Sequence, residues 1–247
     1  MTDELRARLS EWLRRRPLLV ALDFDGVLAP IVEQPEAARA LPGTDELLER
    51  LAAIDGVHVA LVSGRALTSL RAVAQVAPGS RLVLVGSHGA EVDGTDVQLD
   101  DDARDALASV HSAFLALAAD RPGVHVETKP AGVVLHTRRA PRDVAAQVTE
   151  AALGAADRPG CHVTQGKEVV EVSVIETGKG VALERLRAEL GAVGVLYVGD
   201  DVTDENAFAV LGENDIGIKV GDGDTRAAWR VADPEDVQDL LRLLAQG

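Results

Sequence analysis

Five short apolar runs, at 18–22, 57–62, 82–85, 195–198 and 216–220, each break off into polar or glycine-rich chain. The breaks read Asp23-Phe24-Asp25-Gly26, Ser63-Gly64-Arg65, Gly86-Ser87-His88-Gly89, Gly199-Asp200-Asp201 and Gly221-Asp222-Gly223. Runs this short are the pattern of strands buried on both faces. Helical periodicity fills the intervals at about 44–54, 66–76, 180–190 and 204–211, so strands and helices alternate and the expected fold class is α/β, a doubly wound parallel sheet. In such a sheet the polar residues after each strand collect along one edge, where open α/β sheets carry their chemistry. Ahead of the first strand, residues 2–16 read as an amphipathic helix with Leu5, Leu9, Trp12 and Leu13 on one face, stopped by Pro17.

The middle of the chain breaks the alternation. Asp100-Asp101-Asp102 opens a helix that runs to about Ala119, its acids favouring the N-terminus. Extended runs follow at 124–128 and 132–138, joined by Lys129-Pro130-Ala131. A second helix near 141–153 leads to two more runs at 161–165 and 168–175, joined by Gly166-Lys167. The order αββαββ predicts a small antiparallel sheet backed by two helices. It reads as an α+β domain at 99–175 inserted into a core made of 1–98 and 176–247.

Charge and composition narrow the partners. Twenty-five basic against 40 acidic side chains leave a net charge of −15, which argues against nucleic acid or an anionic membrane surface as a partner. Aromatic residues are only 2%, so Leu, Val and Ala must build the core. A lone cysteine, Cys161, permits no internal disulfide and fits a reducing compartment. No apolar run approaches the roughly 20 residues of a membrane span, and the N-terminus lacks the apolar stretch of a secretory signal. Cytoplasmic location and a monomer are the expectations.

The candidate chemistry sits at the strand ends. Asp23 and Asp25 are two apart, which in extended chain places both carboxylates on one face and turns Phe24 into packing, while Gly26 allows a sharp turn. Two acids so placed attract a divalent cation, and with one bound, one acid could attack phosphorus while the other moves protons; a turn with two solvated acids is the plainer alternative. Ser63-Gly64-Arg65 offers a hydroxyl and backbone N–H groups to a phosphate oxygen, or Ser63 simply caps a helix. Lys179 opens a helix, an unfavourable place for a cation unless an anion lies nearby; a surface lysine is the alternative. Asp200, Asp201, Asp204 and Glu205 are four acids in six residues, which repel unless solvated or metal-bound; capping by Asp201 or Thr203 accounts for part of the cluster.

The order of these motifs, DxDG, SGR, Lys and GDDxxD, resembles that of the haloacid dehalogenase phosphatase superfamily with a cap inserted between the second and third motifs. Together with Gly86-Ser87-His88-Gly89-Ala90-Glu91, Gly166-Lys167-Glu168-Val169-Val170-Glu171 and Gly199-Asp200-Asp201-Val202-Thr203-Asp204-Glu205, the spacing resembles the trehalose-6-phosphate phosphatases, from about Leu18 to Leu244. The resemblance implies Mg²⁺-dependent hydrolysis of trehalose 6-phosphate. Asp23 would be the nucleophile and Asp25 the acid and base. Ser63, Gly64 and Lys179 would hold the phosphoryl group. Asp23, the Asp25 carbonyl and Asp200 would hold Mg²⁺, supported by Asp201 and Asp204. Arg65, His88, Glu91, Glu127, Lys129, Arg138, Lys167 and Glu171 would contact the substrate, with Lys167 and Glu171 expected to share a strand face. His136, inside an apolar run, is expected to be packed. Two positions depart from the family pattern: Val27 replaces a threonine and Thr137 a tyrosine. A phosphatase for another sugar phosphate, such as sucrose phosphate, and a non-catalytic regulatory partner are the competing readings; the presence of Asp23, Asp25, Lys179, Asp200 and Asp204 counts against the second.

Overall fold

The computed structural model describes residues 1–95 and 97–246. In chain order the elements are α1 (Asp3–Trp12), β1 (Leu18–Leu22), α2 (Thr44–Ala52), β2 (Val57–Val62), α3 (Leu67–Ala74), β3 (Val83–Gly86), β4 (Glu91–Val92), α4 (Asp101–Ala118), β5 (His125–Lys129), β6 (Gly132–His136), α5 (Arg142–Ala156), β7 (His162–Gly166), β8 (Val169–Ser173), α6 (Lys179–Leu190), β9 (Gly194–Gly199), α7 (Glu205–Ala209), β10 (Ile216–Val220), β11 (Trp229–Val231) and α8 (Pro234–Leu244). They form two compact units, Met1–Gly94 with Gly178–Gly247, and Thr95–Thr177.

The first unit is built on a seven-stranded sheet in the order β11-β10-β9-β1-β2-β3-β4. All neighbours are parallel except the short antiparallel pair β3–β4. β1 lies at the centre, in register with β2 through Leu18↔Val57 and with β9 through Leu18↔Gly194. Every residue of β1 is buried because both faces are covered. Leu18, Val20 and Leu22 pack with the apolar sides of α1, α2 and α8, whereas Leu19 and Ala21 pack with α6 and α7. Phe24 continues the first of these layers and is fully buried, as its alternation with the two acids requires. Val27 is also fully buried in that core.

β4, β11 and α8 are additions to the elements read from the apolar runs. α8 carries a complete signal: Asp233 caps it by accepting from the Asp236 N–H, Pro234 occupies its first turn, and Val237, Leu240, Leu241 and Leu244 repeat on its buried face. β4 and β11 hold two and three residues, too few for a period-two pattern to register. α1 ends at Trp12 rather than at Arg16.

The second unit is a four-stranded antiparallel sheet in the order β5-β6-β8-β7. Val133, Leu135, Val170 and Val172 form its apolar face and pack with Val110 and Phe114 of α4 and Val148, Ala152 and Ala156 of α5. The pairing places Glu127, Val134, Glu171 and Thr164 in one row across the opposite face. His125 and His136 stand in the next row on that face. Lys167 does not lie on a strand: it occupies the turn between β7 and β8, where Glu168 takes a left-handed φ of 61°. The expected shared strand face of Lys167 and Glu171 is therefore replaced by a hairpin tip and a strand interior. Among the described residues no helix is long and apolar enough to cross a membrane.

Candidate active site

Three loops at the carboxyl ends of β1, β2 and β9 meet because those strands are adjacent and parallel. Asp23 is buried directly after β1. Its backbone N–H extends the ladder to the Val198 carbonyl, and its Oδ1 accepts from the Phe24 N–H at 2.7 Å. Its Oδ2 accepts from Lys179 Nζ at 2.6 Å. Lys179 is only 2% exposed, so it is not a surface lysine. It starts α6 and donates also to Asp204 Oδ1 at 2.7 Å. An ammonium at a helix start opposes the macrodipole, and here two carboxylates offset that cost. Burial alone works against the charged ammonium, but Asp23 and Asp204 outweigh it and hold the Lys179 pKa above its ordinary value.

Asp204 organises rather than reaches out. Its Oδ1 accepts from Lys179 and from the buried Tyr197 hydroxyl at 2.6 Å, and its Oδ2 from the N–H groups of Asp200 and Asp201, each at 2.9 Å. Asp201 and Asp204 also form a reciprocal cap on the turn that begins at Val202. Asp23, Asp200 and Asp204 bring one carboxylate oxygen each within 4.8 Å of one another, so the group could hold a metal ion. With four donors already on Asp204, the oxygens best placed for a cation are those of Asp23 and Asp200.

The electrostatics fit that assignment. Burial raises the Asp23 pKa from 3.8 to about 7; Lys179 opposes the rise and Asp204 adds to it. Burial, then Asp204, raises Asp200 to about 6. Both acids resist ionisation in so crowded a place, and a bound cation would restore the charged forms.

Gly26 makes the packing feasible. Its φ of 74° is left-handed, and an added Cβ would stand 2.0 Å from Asp200 Oδ2. Gly26→Ala is expected to push the Asp200 carboxylate aside and weaken divalent-cation affinity about 10–100-fold, the range for lost support around a metal ligand. Calorimetric titration of the folded variant with Mg²⁺ checks this, and wild-type affinity would refute it.

Asp25 turns to the neighbouring loop, where both its oxygens accept from Arg65. Ser63 is buried, and its Oγ accepts from the Arg65 N–H at 3.2 Å, which leaves the hydroxyl hydrogen to donate. It does not cap α3, which starts at Leu67 after Ala66. Glu91 serves that helix instead: its Oε1 accepts from the Leu67 N–H at 3.3 Å and from Ser87 Oγ at 2.5 Å. Glu91 is thereby placed in the scaffold of the loop. Ser87 and His88 both have left-handed φ, 49° and 53°, a costly pairing for residues other than glycine. It sets the His88 ring over Gly64, where a Cβ would meet it at 2.5 Å. The His88 carbonyl accepts from the Gly178 N–H at 2.8 Å and so ties this loop to the start of α6.

In the second unit, the polar sheet face joins Lys129 to Glu171 at 2.7 Å and His136 to Glu127 at 2.9 Å. Lys129 is 7% exposed, so this ion pair is largely desolvated. The hydrogen bond from His136, with lesser help from Lys129, lowers the Glu127 pKa. His136 is thus engaged on the polar face, stacked with His125, rather than packed in the core. Arg138 lies exposed in the turn after β6.

Comparison with known proteins places this geometry. The profile of the trehalose-phosphatase family matches residues 21–238. The chain belongs to the trehalose-phosphatase family. It is 36% identical to a trehalose-phosphate phosphatase of Mycobacterium tuberculosis, over 100% of this chain and 66% of that protein, so it spans just under two thirds of that relative. It is 34% identical to a trehalose-6-phosphate phosphatase of Escherichia coli, over 90% of this chain and 84% of that protein. The C-terminal domain of the Candida albicans trehalose-6-phosphate phosphatase shares the fold at a TM-score of 0.75 and 23% identity, covering 98% of this chain and 97% of that one. The family's α/β core with its parallel sheet is the architecture seen here.

Sequence reasoning missed three polar contacts, two in the first unit and one in the second. Tyr197 lies inside the apolar run that became β9, where nothing distinguishes its hydroxyl from packing. Lys219 lies inside β10, yet its Nζ donates to the Asp200 carbonyl. His136 could have been found by counting alternate positions, which put it on the face of Glu127.

Proposed function

We propose that this chain is a Mg²⁺-dependent phosphatase that hydrolyses trehalose 6-phosphate to trehalose and phosphate through an aspartyl-phosphate. Family membership supports the substrate class. The observation that carries the chemistry is Asp23: a buried carboxylate at a strand end, with an ammonium on one oxygen and two more acids beside it. Phosphoryl transfer depends chiefly on positioning and charge neutralisation, and this arrangement offers both.

Asp23 attacks phosphorus while the bond to the sugar oxygen breaks, and Asp25 supplies the proton that the departing sugar takes. In the second half, water attacks the aspartyl-phosphate, its proton passes to Asp25, and Asp23 is released as carboxylate. Lys179, the Ser63 hydroxyl and the Gly64 N–H hold phosphoryl oxygens. Mg²⁺, held by Asp23, the Asp25 carbonyl and Asp200, would supply the positive charge that a chain at −15 lacks overall.

The sugar is recognised by the second unit, through Glu127, Lys129 and Glu171 on its polar sheet face, with Lys167 and Arg138 in neighbouring turns. Charged groups suit a ligand made mostly of hydroxyls, each such hydrogen bond contributing roughly 1.5–3 kcal/mol. Glu171→Ala is therefore expected to lower kcat/KM for trehalose 6-phosphate about ten- to a hundredfold while hardly changing turnover of 4-nitrophenyl phosphate, which is too small to need the sugar contacts. Assaying both substrates with wild type, Glu171→Ala and Lys167→Ala tests this. Equal losses on both substrates would assign these residues to folding or chemistry instead.

A further inference from the structure

Arg65 holds the whole carboxylate of Asp25. Its Nε donates to Oδ2 and its Nη2 to Oδ1, each at 2.6 Å. The arginine is itself held. Its N–H donates to Ser63 Oγ at 3.2 Å, its carbonyl accepts from the Ser87 N–H at 2.7 Å, and its guanidinium carbon lies 6.0 Å from the centroid of the Phe24 ring. The backbone around Asp25 is also fixed, between the fully buried Phe24 and the turn in which the Gly26 N–H donates to the Ala29 carbonyl at 2.8 Å. The side-chain torsions of Asp25 are what remain free, and a two-pronged fork removes them.

We propose that Arg65 is a positioning residue for the second half of the reaction, fixing the Asp25 carboxylate in the orientation from which it takes a proton from the attacking water. The proposal rests on the covalent reading above. In that half-reaction a bond forms between the water oxygen and phosphorus, the bond from Asp23 to phosphorus breaks, and the water's proton moves to Asp25. A guanidinium has donors only, so it is complementary to a group that accepts. Each Asp25 oxygen uses one lone-pair direction on Arg65 and keeps another for the water. The first half-reaction asks Asp25 for the opposite service, to present a proton to the departing oxygen, and the fork does not assist it. Loss of Arg65 should therefore slow breakdown of the aspartyl-phosphate more than its formation. A substrate-contacting role for Arg65, as the family resemblance suggests, would slow formation instead.

The test is rapid-mixing kinetics with 4-nitrophenyl phosphate and Mg²⁺, whose leaving group departs without needing a proton. Arg65→Gln is expected to release nitrophenolate in a burst of about one per enzyme, followed by a steady rate on the order of tenfold or more below wild type, with the burst rate little changed. Acid quenching should trap the accumulated phosphoenzyme, and Arg65→Lys, a cation without the fork, should fall between. Circular dichroism establishes that each variant is folded, and Arg65→Lys carries the test should Arg65→Gln not be. Slowed release without a burst, or rates equal to wild type, would overturn the proposal. The covalent reading is checked separately with Asp25→Asn: if no phosphoenzyme accumulates in that variant, the covalent step itself fails, whatever Arg65 does.

Discussion

Asp23→Asn is expected to abolish turnover and, at the same time, to stabilise the metal-free protein at neutral pH. An amide is a very poor nucleophile, so kcat should fall by about 10³-fold or more. The stability effect follows from the crowding around Asp23. Its pKa is about 7 in the folded chain against an ordinary 3.8. A carboxyl held above its unfolded value binds its proton more tightly when folded. Its contribution is then fully present below about pH 4 and is lost as pH rises towards 7. Asparagine is the uncharged isostere at every pH. With a chelator present, wild type should lose stability between pH 5 and 7.5, and the variant should lose less of it, leaving its Tm higher at pH 7.5 by on the order of 5 °C. Thermal melts at the two pH values decide the matter. Parallel pH dependence in both proteins would show that Asp23 is not held in its protonated form by burial.

The second large effect is expected at Lys179. Lys179→Met leaves Asp23 and Asp204 buried without the ammonium that both contact, while Asp204 keeps Tyr197 and two backbone donors. Removing one partner of a buried charge group costs about 3–5 kcal/mol, visible in the urea midpoint at pH 7.5 in the presence of chelator. Turnover should fall below detection along with it, since the same ammonium is proposed to hold a phosphoryl oxygen. Adding Mg²⁺ should recover part of the stability and none of the turnover. A midpoint equal to wild type would mean that Lys179 is not the counter-charge of this site.

The distances behind these two predictions could not have been read from the chain. Asp23 and Lys179 are 156 residues apart in sequence, and only the adjacency of β1 and β9, with α6 packed beneath them, brings the ammonium onto both acids. What could be read was that three of the apolar runs end in residues that the sheet then brings together. β1, β2 and β10 begin and end where the apolar runs do, because strands buried on both faces are built mainly of apolar residues, even though His58 and Lys219 stand inside two of them. That rule delivered Asp23, Ser63 and Asp200 to one edge. It failed where polar residues do structural duty within or between elements. Lys167, four residues before Glu171, is expected to share its strand face, but the chain turns at Lys167 and Glu168, the latter with a left-handed φ, and the next strand starts only at Val169. His136 stands in an apolar run and still belongs to the polar face, since alternation, not neighbours, decides which way a strand residue points. Glu91 accepts from the Ser87 hydroxyl and the first N–H of α3, structural contacts that its place in the sequence did not announce. Tyr197 shows the limit most clearly. A buried tyrosine in a hydrophobic strand declares its hydroxyl only when a partner such as Asp204 is seen.

Phosphate release by the wild-type chain from a panel of sugar phosphates, including trehalose 6-phosphate, sucrose 6-phosphate and glucose 6-phosphate, tests the central claim most directly. The account predicts a kcat/KM for trehalose 6-phosphate that exceeds the others by about tenfold or more, abolished by chelator and restored by Mg²⁺. Equal rates across the panel, preference for another sugar phosphate, or undiminished release in the presence of chelator would contradict it.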